Sequence, residues 1–459
     1  MKLIYNVNEK PKFSKNLIYA FQQVLAIMAA TIAVPAIVGN GLTAAAAMFG
    51  AGVGTIVYLL FTRFKSPVFL GSSFAFIGSM SAAFAGGVSM ALGYLGLIFG
   101  AIFAGLVYVI LAIIVKAVGV NWISKLMPAV VIGPTVAIIG LSLAGNAITQ
   151  LTTNTSSAAS PVSYFAVLCG LVTLFVTMLV STYGSKQFKL IPFIIGILSG
   201  YALALVLTLI GTAADVESMK IISFAPFKAL ADGGVSVKTF IALPDLTFLT
   251  AFDGFKALGN NPGYIGTVAV AYIPVAFVVF AEHIADHKNL SSVIGKDLLT
   301  EPGLSNTLLG DGVGSMAGAF FGGCPNTTYG ESVGCVAITG NASTSTIGLA
   351  AILCIVISFF SPFVAFLSSI PACVMGGVCV ALYGFIAVSG LKMIQKVDLD
   401  RNRNLFVTSV ILIAGIGGMT MTFGKVTLTS VACALILGIV ANIILAKEKA
   451  PDSDEDDKN

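Results

Sequence analysis

The sequence predicts an all-α integral membrane protein whose chain crosses the bilayer about fourteen times. Hydrophobic residues occupy 57% of its 459 positions and charged residues only 10%, whereas a soluble domain carries roughly 25% charged residues because its surface faces water. Apolar runs of about 20 residues recur along the whole chain, and each is long enough to cross ~30 Å of hydrocarbon as a helix. A β-barrel is disfavoured, since its strands would appear as alternating segments of ~10 residues.

Hydropathy places the spans individually. The third and tenth are shorter and more polar than the rest, which is unusual for helices that cross a membrane alone. The candidate spans are 17–38, 43–61, 68–83, 88–115, 126–146, 162–182, 190–210, 263–287, 303–322, 326–340, 344–369, 372–391, 404–420 and 426–446.

The distribution of basic residues supports this topology. With the N-terminus inside, 19 of the 24 Lys and Arg residues fall in cytoplasmic segments, as the positive-inside rule requires. Four of the other five lie in the long loop 211–262, where the rule is weakest. We therefore expect a multi-pass protein of the cell membrane with both its N-terminal segment 1–16 and an acidic, disordered tail 447–459 in the cytoplasm.

The long loop, read as an extracellular linker, divides the chain into halves of seven spans, 17–210 and 263–446. Because seven is odd, the second half enters the membrane in the opposite sense, which is an inverted repeat. The third span of the first half contains Gly71-Ser72-Ser73-Phe74, and that of the second contains Asn326-Thr327-Thr328-Tyr329. Short interrupted spans in matched positions indicate the binding site of a transporter.

Four acidic residues lie within the predicted spans: Glu282, Asp286, Asp311 and Glu331. A carboxylate at the bilayer centre costs at least ~2.5 kcal/mol, so such a group is normally paired, faces a cavity or is functional. Asp311 is followed by a glycine and is interpreted as a structural or interfacial carboxylate. Glu282 and Asp286 stand four residues apart and share one helical face, where they serve either the site or a structural network in the bundle interior.

The two histidines of the chain, His283 and His287, directly follow these acids in Glu282-His283 and Asp286-His287. Their offset spacing gives no convergent ligand set, so the sequence does not indicate a metal site. No cofactor is expected.

Backbone chemistry predicts short extended segments in spans three and ten. Pro325 favours an extended residue before it, the two threonines that follow favour extended structure, and Gly330 permits close backbone approach. A half-helix would then begin beside Glu331, with its N-terminus at the bilayer midplane. The same reasoning predicts an extended segment at Ser72-Ser73-Phe74 in the third span. Such backbone survives at that depth only where protein or a cavity satisfies its polar groups.

This arrangement predicts the chemistry of a ligand. Two facing half-helices offer free N–H donors, Glu282 and Glu331 offer acceptors, and Phe74 and Tyr329 offer aromatic faces. A pyrimidinedione presents the matching carbonyl oxygens and N–H groups on a flat ring. An inorganic anion would suit the amides but would be repelled by two ionised carboxylates.

At these residues the chain resembles the nucleobase–ascorbate transporter family, and within it the bacterial uracil permeases. The resemblance extends over roughly residues 15–446. The stretches that carry it are Ala30-Thr31, Val34-Pro35, Leu70 to Phe76, Ala281-Glu282-His283, Lys296 to Leu299, Pro302-Gly303-Leu304, Pro325 to Glu331, Val374 to Val378 and Leu382-Tyr383-Gly384.

The resemblance implies a core domain of spans 1–4 and 8–11, a gate domain of spans 5–7 and 12–14, proton-driven nucleobase uptake and a homodimer. It also implies roles for individual residues. Glu282 and Glu331 would bind the nucleobase, the backbone at Phe74 and Gly330 would donate hydrogen bonds beside Ser73, and Ala30, Tyr329 and Tyr383 would enclose the ring.

The chain departs from the family pattern at a few positions. Asp286 stands where close uracil permeases carry a histidine, and we expect Glu282, Asp286 and Glu331 to take part in proton coupling. Purine-transporting relatives tend to carry glutamine where this chain has Glu331, which favours a pyrimidine. The signature reads Glu331-Ser332-Val333-Gly334 and ends in Thr339-Gly340, and the usual first-span Gln-His pair is Gln22-Gln23.

The prediction is therefore a proton-coupled uracil importer that works by alternating access. A purine permease of the same family, for xanthine or urate, and an anion exchanger of the same fold are the alternatives. A channel would need no coupling acid, and a membrane enzyme would need a nucleophile, metal or cofactor motif, which we do not find in the sequence. Nothing in it indicates binding to nucleic acid.

Overall fold

A computed structural model describes residues 3–154, 162–232, 234–423 and 426–447. The chain folds into membrane-length helices joined by short ones, with strands at two places. Elements of the first half, up to residue 213, are α1 (Phe13–Val38), α2 (Ala44–Phe61), β1 (Leu70–Ser72), α3 (Ile77–Ala83), α4 (Met90–Val118), α5 (Asn121–Leu126), α6 (Ala129–Ser142), α7 (Ala144–Thr152), α8 (Tyr164–Tyr183) and α9 (Pro192–Ala213).

The second half follows a stretch of short helices. Its elements, with that stretch, are α10 (Ala225–Ala231), α11 (Val237–Phe240), α12 (Thr247–Ala251), α13 (Gly254–Leu258), α14 (Tyr264–Ile294), α15 (Leu304–Gly322), β2 (Asn326–Thr328), α16 (Gly330–Thr339), α17 (Thr344–Ser358), α18 (Ser361–Ser369), α19 (Ala372–Ile394), α20 (Asn402–Ile416), β3 (Met421–Phe423), β4 (Val426–Leu428) and α21 (Ser430–Ile444).

The helices agree with a protein that crosses the membrane repeatedly. Among the described residues, eight helical segments are both long and apolar enough to span it, and four shorter helices are also apolar. The segment predicted as 126–146 continues to Thr152 through a break at Leu143. The segment predicted as 344–369 consists of two helices, α17 and α18. The predicted tail 447–459 lies, except for residue 447, outside the described residues.

The two predicted extended segments form a single structure. Strands β1 and β2 pair antiparallel, with Gly71 opposite Thr327. The ladder continues at both ends, since the Ser73 amide donates to the Pro325 carbonyl at 2.9 Å and the Tyr329 amide donates to the Phe69 carbonyl at 3.2 Å. Backbone polar groups are thus satisfied inside the bundle, which is what permits non-helical chain at membrane depth.

The helices pack in two groups. One group joins α1–α4 to α14–α17, where the most extensive contacts are those of α15 with α2 and α4. The other joins α6, α8 and α9 to α19–α21, where α19 packs along α6 and α8. Contacts between the groups are fewer and come mainly from α14 and α1.

The N-terminal segment, for which the sequence predicted no structure, pairs with the chain between α16 and α17. The Ile4 amide donates to the Gly340 carbonyl at 2.7 Å, the Ala342 amide to the Tyr5 carbonyl at 2.9 Å, and the Thr344 amide to the Val7 carbonyl at 3.1 Å. These hydrogen bonds hold the N-terminal segment against the C-terminal end of α16, the half-helix that follows β2.

Candidate substrate site

A cavity of about 370 Å³ lies between the two helix groups, where α14, β2 and α16 face α6, α8, α9 and α19. Its size falls within the range of about 300–1,000 Å³ that small-molecule sites occupy. Residues near the ends of α8, α14, α16 and α19 line it, so the cavity extends toward one end of the bundle. That end is the one that the basic residues predict to be cytoplasmic.

Glu282 and Glu331 both line this cavity. Glu282 lies on α14, and Glu331 lies in the first turn of α16, directly after the strand. Both are partly exposed to the cavity. No Lys, Arg or His side chain in the described part of the chain forms a salt bridge with either carboxylate. Two acceptor groups thus remain available to a ligand.

Asp286 lies one helical turn beyond Glu282 and also lines the cavity. It is buried, with 9% of its surface exposed. The Thr328 hydroxyl donates to its Oδ2 at 2.8 Å, so this carboxylate connects α14 to strand β2. Asp286 is therefore both a cavity-lining acid and a direct contact of the strand.

The other residues predicted for the site divide into two sets. Phe74, Tyr329 and Gly330 line the cavity. Ser73, Ala30 and Tyr383 are buried and lie outside the described lining.

Tyr383 contacts Phe74, which lines the cavity. The two rings pack edge to face, with their centroids 5.5 Å apart. Ser73 contributes its amide to the strand ladder rather than to the cavity. The ring of Tyr329 is held in place, because its hydroxyl donates to the Ser72 carbonyl at 2.8 Å.

The structure adds residues that sequence reasoning missed. Thr327 and Asn289 line the cavity from the first helix group, and Lys189, Phe385 and Ser389 from the second. Thr327 lies inside the strand motif, which was a usable signal. The residues of the second group come from segments far away along the chain, and only the tertiary packing brings them to the site.

The histidines belong to a separate buried network. His283 Nδ1 lies 2.7 Å from Asp311 Oδ2, and its Nε2 lies 3.0 Å from the Thr307 hydroxyl. His287 Nε2 lies 2.7 Å from the Tyr58 hydroxyl. These contacts place the histidines in a structural network on the face of α14 next to the one that lines the cavity.

Comparison with known proteins identifies the kind of molecule to which this site belongs. A family model described as a permease family (Xan_ur_permease) matches residues 14–424. The chain belongs to the nucleobase–ascorbate transporter family. The family that the sequence resembled is therefore confirmed, and so is the prediction that the chain is a transporter and not an enzyme.

Relatives of this transporter align along almost its entire length. It is 36% identical to the uracil permease of Bacillus subtilis, with 95% of this chain and 94% of the relative covered. It is 36% identical to the uracil permease of Bacillus caldolyticus, covering 97% and 95%, and 33% identical to that of Escherichia coli K12, covering 95% and 93%.

Solved structures share the fold of this family member. The transmembrane domain of a cyanobacterium bicarbonate transporter, BicA, has a TM-score of 0.60 at 15% identity and covers 95% of this chain and 100% of its own. SLC26A9 has a TM-score of 0.63 at 11% identity, covering 95% and 66%. At these identities the likeness concerns the fold alone.

The strand pairing of this transporter depends on a glycine. A Cβ added at Gly71 would overlap the ring of Tyr329, so Gly71→Ala is expected to displace the ring or the strand and to destabilise the fold by about 1–3 kcal/mol, as overpacking does. Thermal unfolding in detergent measures this. Gly266→Ala on α14, where nothing lies within 4 Å of the added Cβ, is the control and should not lower the unfolding midpoint, because alanine is favoured over glycine inside a helix. Equal midpoints for both variants would contradict the close approach.

Proposed function

We propose that this transporter imports uracil across the cell membrane by proton symport. The observation that carries the proposal is the pair of carboxylates, Glu282 and Glu331, which line one cavity without a basic partner in the described part of the chain. Uracil presents N–H groups to such acceptors and carbonyl oxygens to the free amides at the start of α16. The relatives named uracil permeases, at 33–36% identity, support the same substrate.

Binding would combine three kinds of contact. The carboxylates would accept from the ring N–H groups, the backbone amides at Phe74 and Gly330 would donate to the ring carbonyls, and Tyr329 would lie against the ring. The buried residues Ser73, Ala30 and Tyr383 would pack behind the residues that line the cavity. Helix N-termini favour the partial negative charge of a carbonyl oxygen.

Transport would follow from the two helix groups. The group α1–α4 with α14–α17 would act as the core domain, and α6, α8, α9 and α19–α21 as the gate domain, within a seven-plus-seven inverted repeat of about fourteen spans. Antiparallel pairing of β1 with β2 supports this symmetry. Both termini would lie in the cytoplasm, so that the cavity opens inward, and two copies would form a homodimer.

Proton coupling would involve Glu282, Asp286 and Glu331. A protonated carboxylate lets the loaded carrier move without a buried unpaired charge, whose cost is several kcal/mol. Asp286 is the proposed site of proton exchange with the cytoplasm, because it lies in the cavity one turn from Glu282.

Uptake of labelled uracil into proteoliposomes tests the substrate. An inward proton gradient should drive accumulation, a protonophore should abolish it, and unlabelled uracil should compete far better than xanthine or urate. Liposomes without protein are the control. Equal competition by xanthine would point to the purine alternative, and competition by sulfate or bicarbonate would point to the anion exchanger, which the two carboxylates disfavour.

A further inference from the structure

A second, much smaller cavity lies on the other side of strand β2, away from the substrate site. Its volume is about 10 Å³, which is close to the minimum that admits one water molecule. Four polar side chains line it: Tyr108 of α4, Asp311 and Ser315 of α15, and Asn326 of β2. The rest of the lining is apolar or glycine.

Each of these four side chains is more than nine-tenths buried. Each also has one polar atom without a hydrogen-bond partner: the Tyr108 hydroxyl, Asp311 Oδ1, the Ser315 hydroxyl and Asn326 Oδ1. Buried polar groups are nearly always satisfied by protein or by ordered water. Four such atoms around one cavity therefore indicate a common ligand.

The donors and acceptors can be counted. Asn326 Nδ2 donates to the Gly50 carbonyl at 3.1 Å, so its amide orientation is set and Oδ1 can only accept. His283 Nδ1 lies 2.7 Å from Asp311 Oδ2, which leaves Oδ1 of the carboxylate as a second acceptor. The two hydroxyl groups, of Tyr108 and Ser315, can each donate.

We propose that this cavity holds a single ordered water molecule that forms four hydrogen bonds. The water donates its two hydrogens to Asp311 Oδ1 and Asn326 Oδ1, and its oxygen accepts from the Tyr108 and Ser315 hydroxyls. Buried waters typically form about three such bonds, with a range of 2–4. One water molecule would thus supply a hydrogen-bond partner to each of the four unpartnered atoms.

A sodium ion fits the same four atoms less well. It would accept electron pairs from all four oxygens, but the hydrogens of the Tyr108 and Ser315 hydroxyls would then still lack an acceptor. The observed mixture of two acceptors and two donors matches the hydrogen-bonding capacity of water.

The water would connect the substrate site to its scaffold. Asn326 begins the strand that pairs with β1, and Asp311 is hydrogen bonded to His283 on α14, the helix that carries Glu282. The bridge therefore holds β2 in register with α14 and α15. This inference does not depend on which substrate is transported.

Removal of single hydroxyls tests the proposal. Ser315→Ala and Tyr108→Phe should each lower the thermal unfolding midpoint by about 2 °C, because each removes a donor to the water. Their effects should be non-additive in the double variant, since both donors share one partner. Thr408→Val is the control: it removes a buried, unpartnered hydroxyl that does not line this cavity, and it should not lower the midpoint.

Two results would overturn the proposal. If Ser315→Ala and Tyr108→Phe, like Thr408→Val, do not lower the unfolding midpoint, the two hydroxyls form no hydrogen bond with a water molecule. If the midpoint rises in NaCl relative to KCl and choline chloride, and Asp311→Asn removes that rise, the ligand is sodium. A density map that shows ordered water provides the direct readout, with one peak expected within about 2.5–3.0 Å of all four atoms.

Discussion

Glu331→Gln is expected to bind uracil about 100-fold more weakly than the unaltered transporter, and Glu282→Gln is expected to do the same. Hydrogen bonds to charged groups contribute about 1.5–3 kcal/mol, and about 2.8 kcal/mol corresponds to 100-fold in affinity. In the glutamine side chain an NH₂ group takes the place of one carboxylate oxygen. This group is a donor, so it cannot accept the hydrogen bond from the ring N–H of uracil.

The measurement is the rise in thermal unfolding midpoint that added uracil produces, together with binding of labelled uracil. Both variants should lose the rise while keeping the midpoint of the ligand-free protein, since neither carboxylate forms a salt bridge in the described residues. Glu217→Gln, which changes an exposed acid in the loop after α9, is the matched control. Full stabilisation of both site variants by uracil would exclude the proposed site.

Asp286→Asn is expected to abolish accumulation of uracil against its gradient without abolishing its movement down the gradient. Asparagine keeps an oxygen that can accept from Thr328, whose hydroxyl lies 2.8 Å from Asp286 Oδ2, so the strand contact survives. It cannot take up a proton. With one proton per uracil, a pH difference of one unit supports about tenfold accumulation, and this should fall to equal concentrations on both sides.

Proteoliposomes with an imposed pH gradient measure the accumulation, and exchange of labelled for unlabelled uracil without a gradient measures the carrier itself. Thr328→Val is the companion variant, because it removes the hydrogen bond and leaves the carboxylate. It should exchange and accumulate uracil, with an altered pH profile. Full gradient-driven accumulation by Asp286→Asn would show that another group carries the proton.

The sequence predicted the fold to the extent that it depends on local chemistry. Runs of apolar residues locate most of the long helices to within a few positions, because the cost of polar groups in hydrocarbon is read directly from composition. Helix α14 is an exception, since it continues beyond the predicted end at 287 to Ile294. Pro325 and the threonines after it predicted the extended segment at 326–328. Pairing of β1 with β2 was not predicted, because no local pattern records which distant strand satisfies a given backbone.

The residues of the candidate site could be predicted only in part from local sequence. Carboxylates in an apolar chain are rare, so Glu282, Asp286 and Glu331 stood out, and the structure places all three on one cavity. Asp311 belongs to the same small set of acids, yet it lies against His283 in a different network. Which face of a helix meets which neighbour is a tertiary property, and hydropathy does not record it.

The ladder between β1 and β2 has a consequence for biosynthesis. Ser72 and Tyr329, joined by a hydrogen bond, are 257 residues apart in the sequence. When the first of these segments leaves the ribosome, its partner has not been made, and its backbone cannot yet be satisfied as the bilayer interior demands. The candidate site must therefore be assembled late, after most helices have been inserted, and a chain truncated before β2 would never complete it.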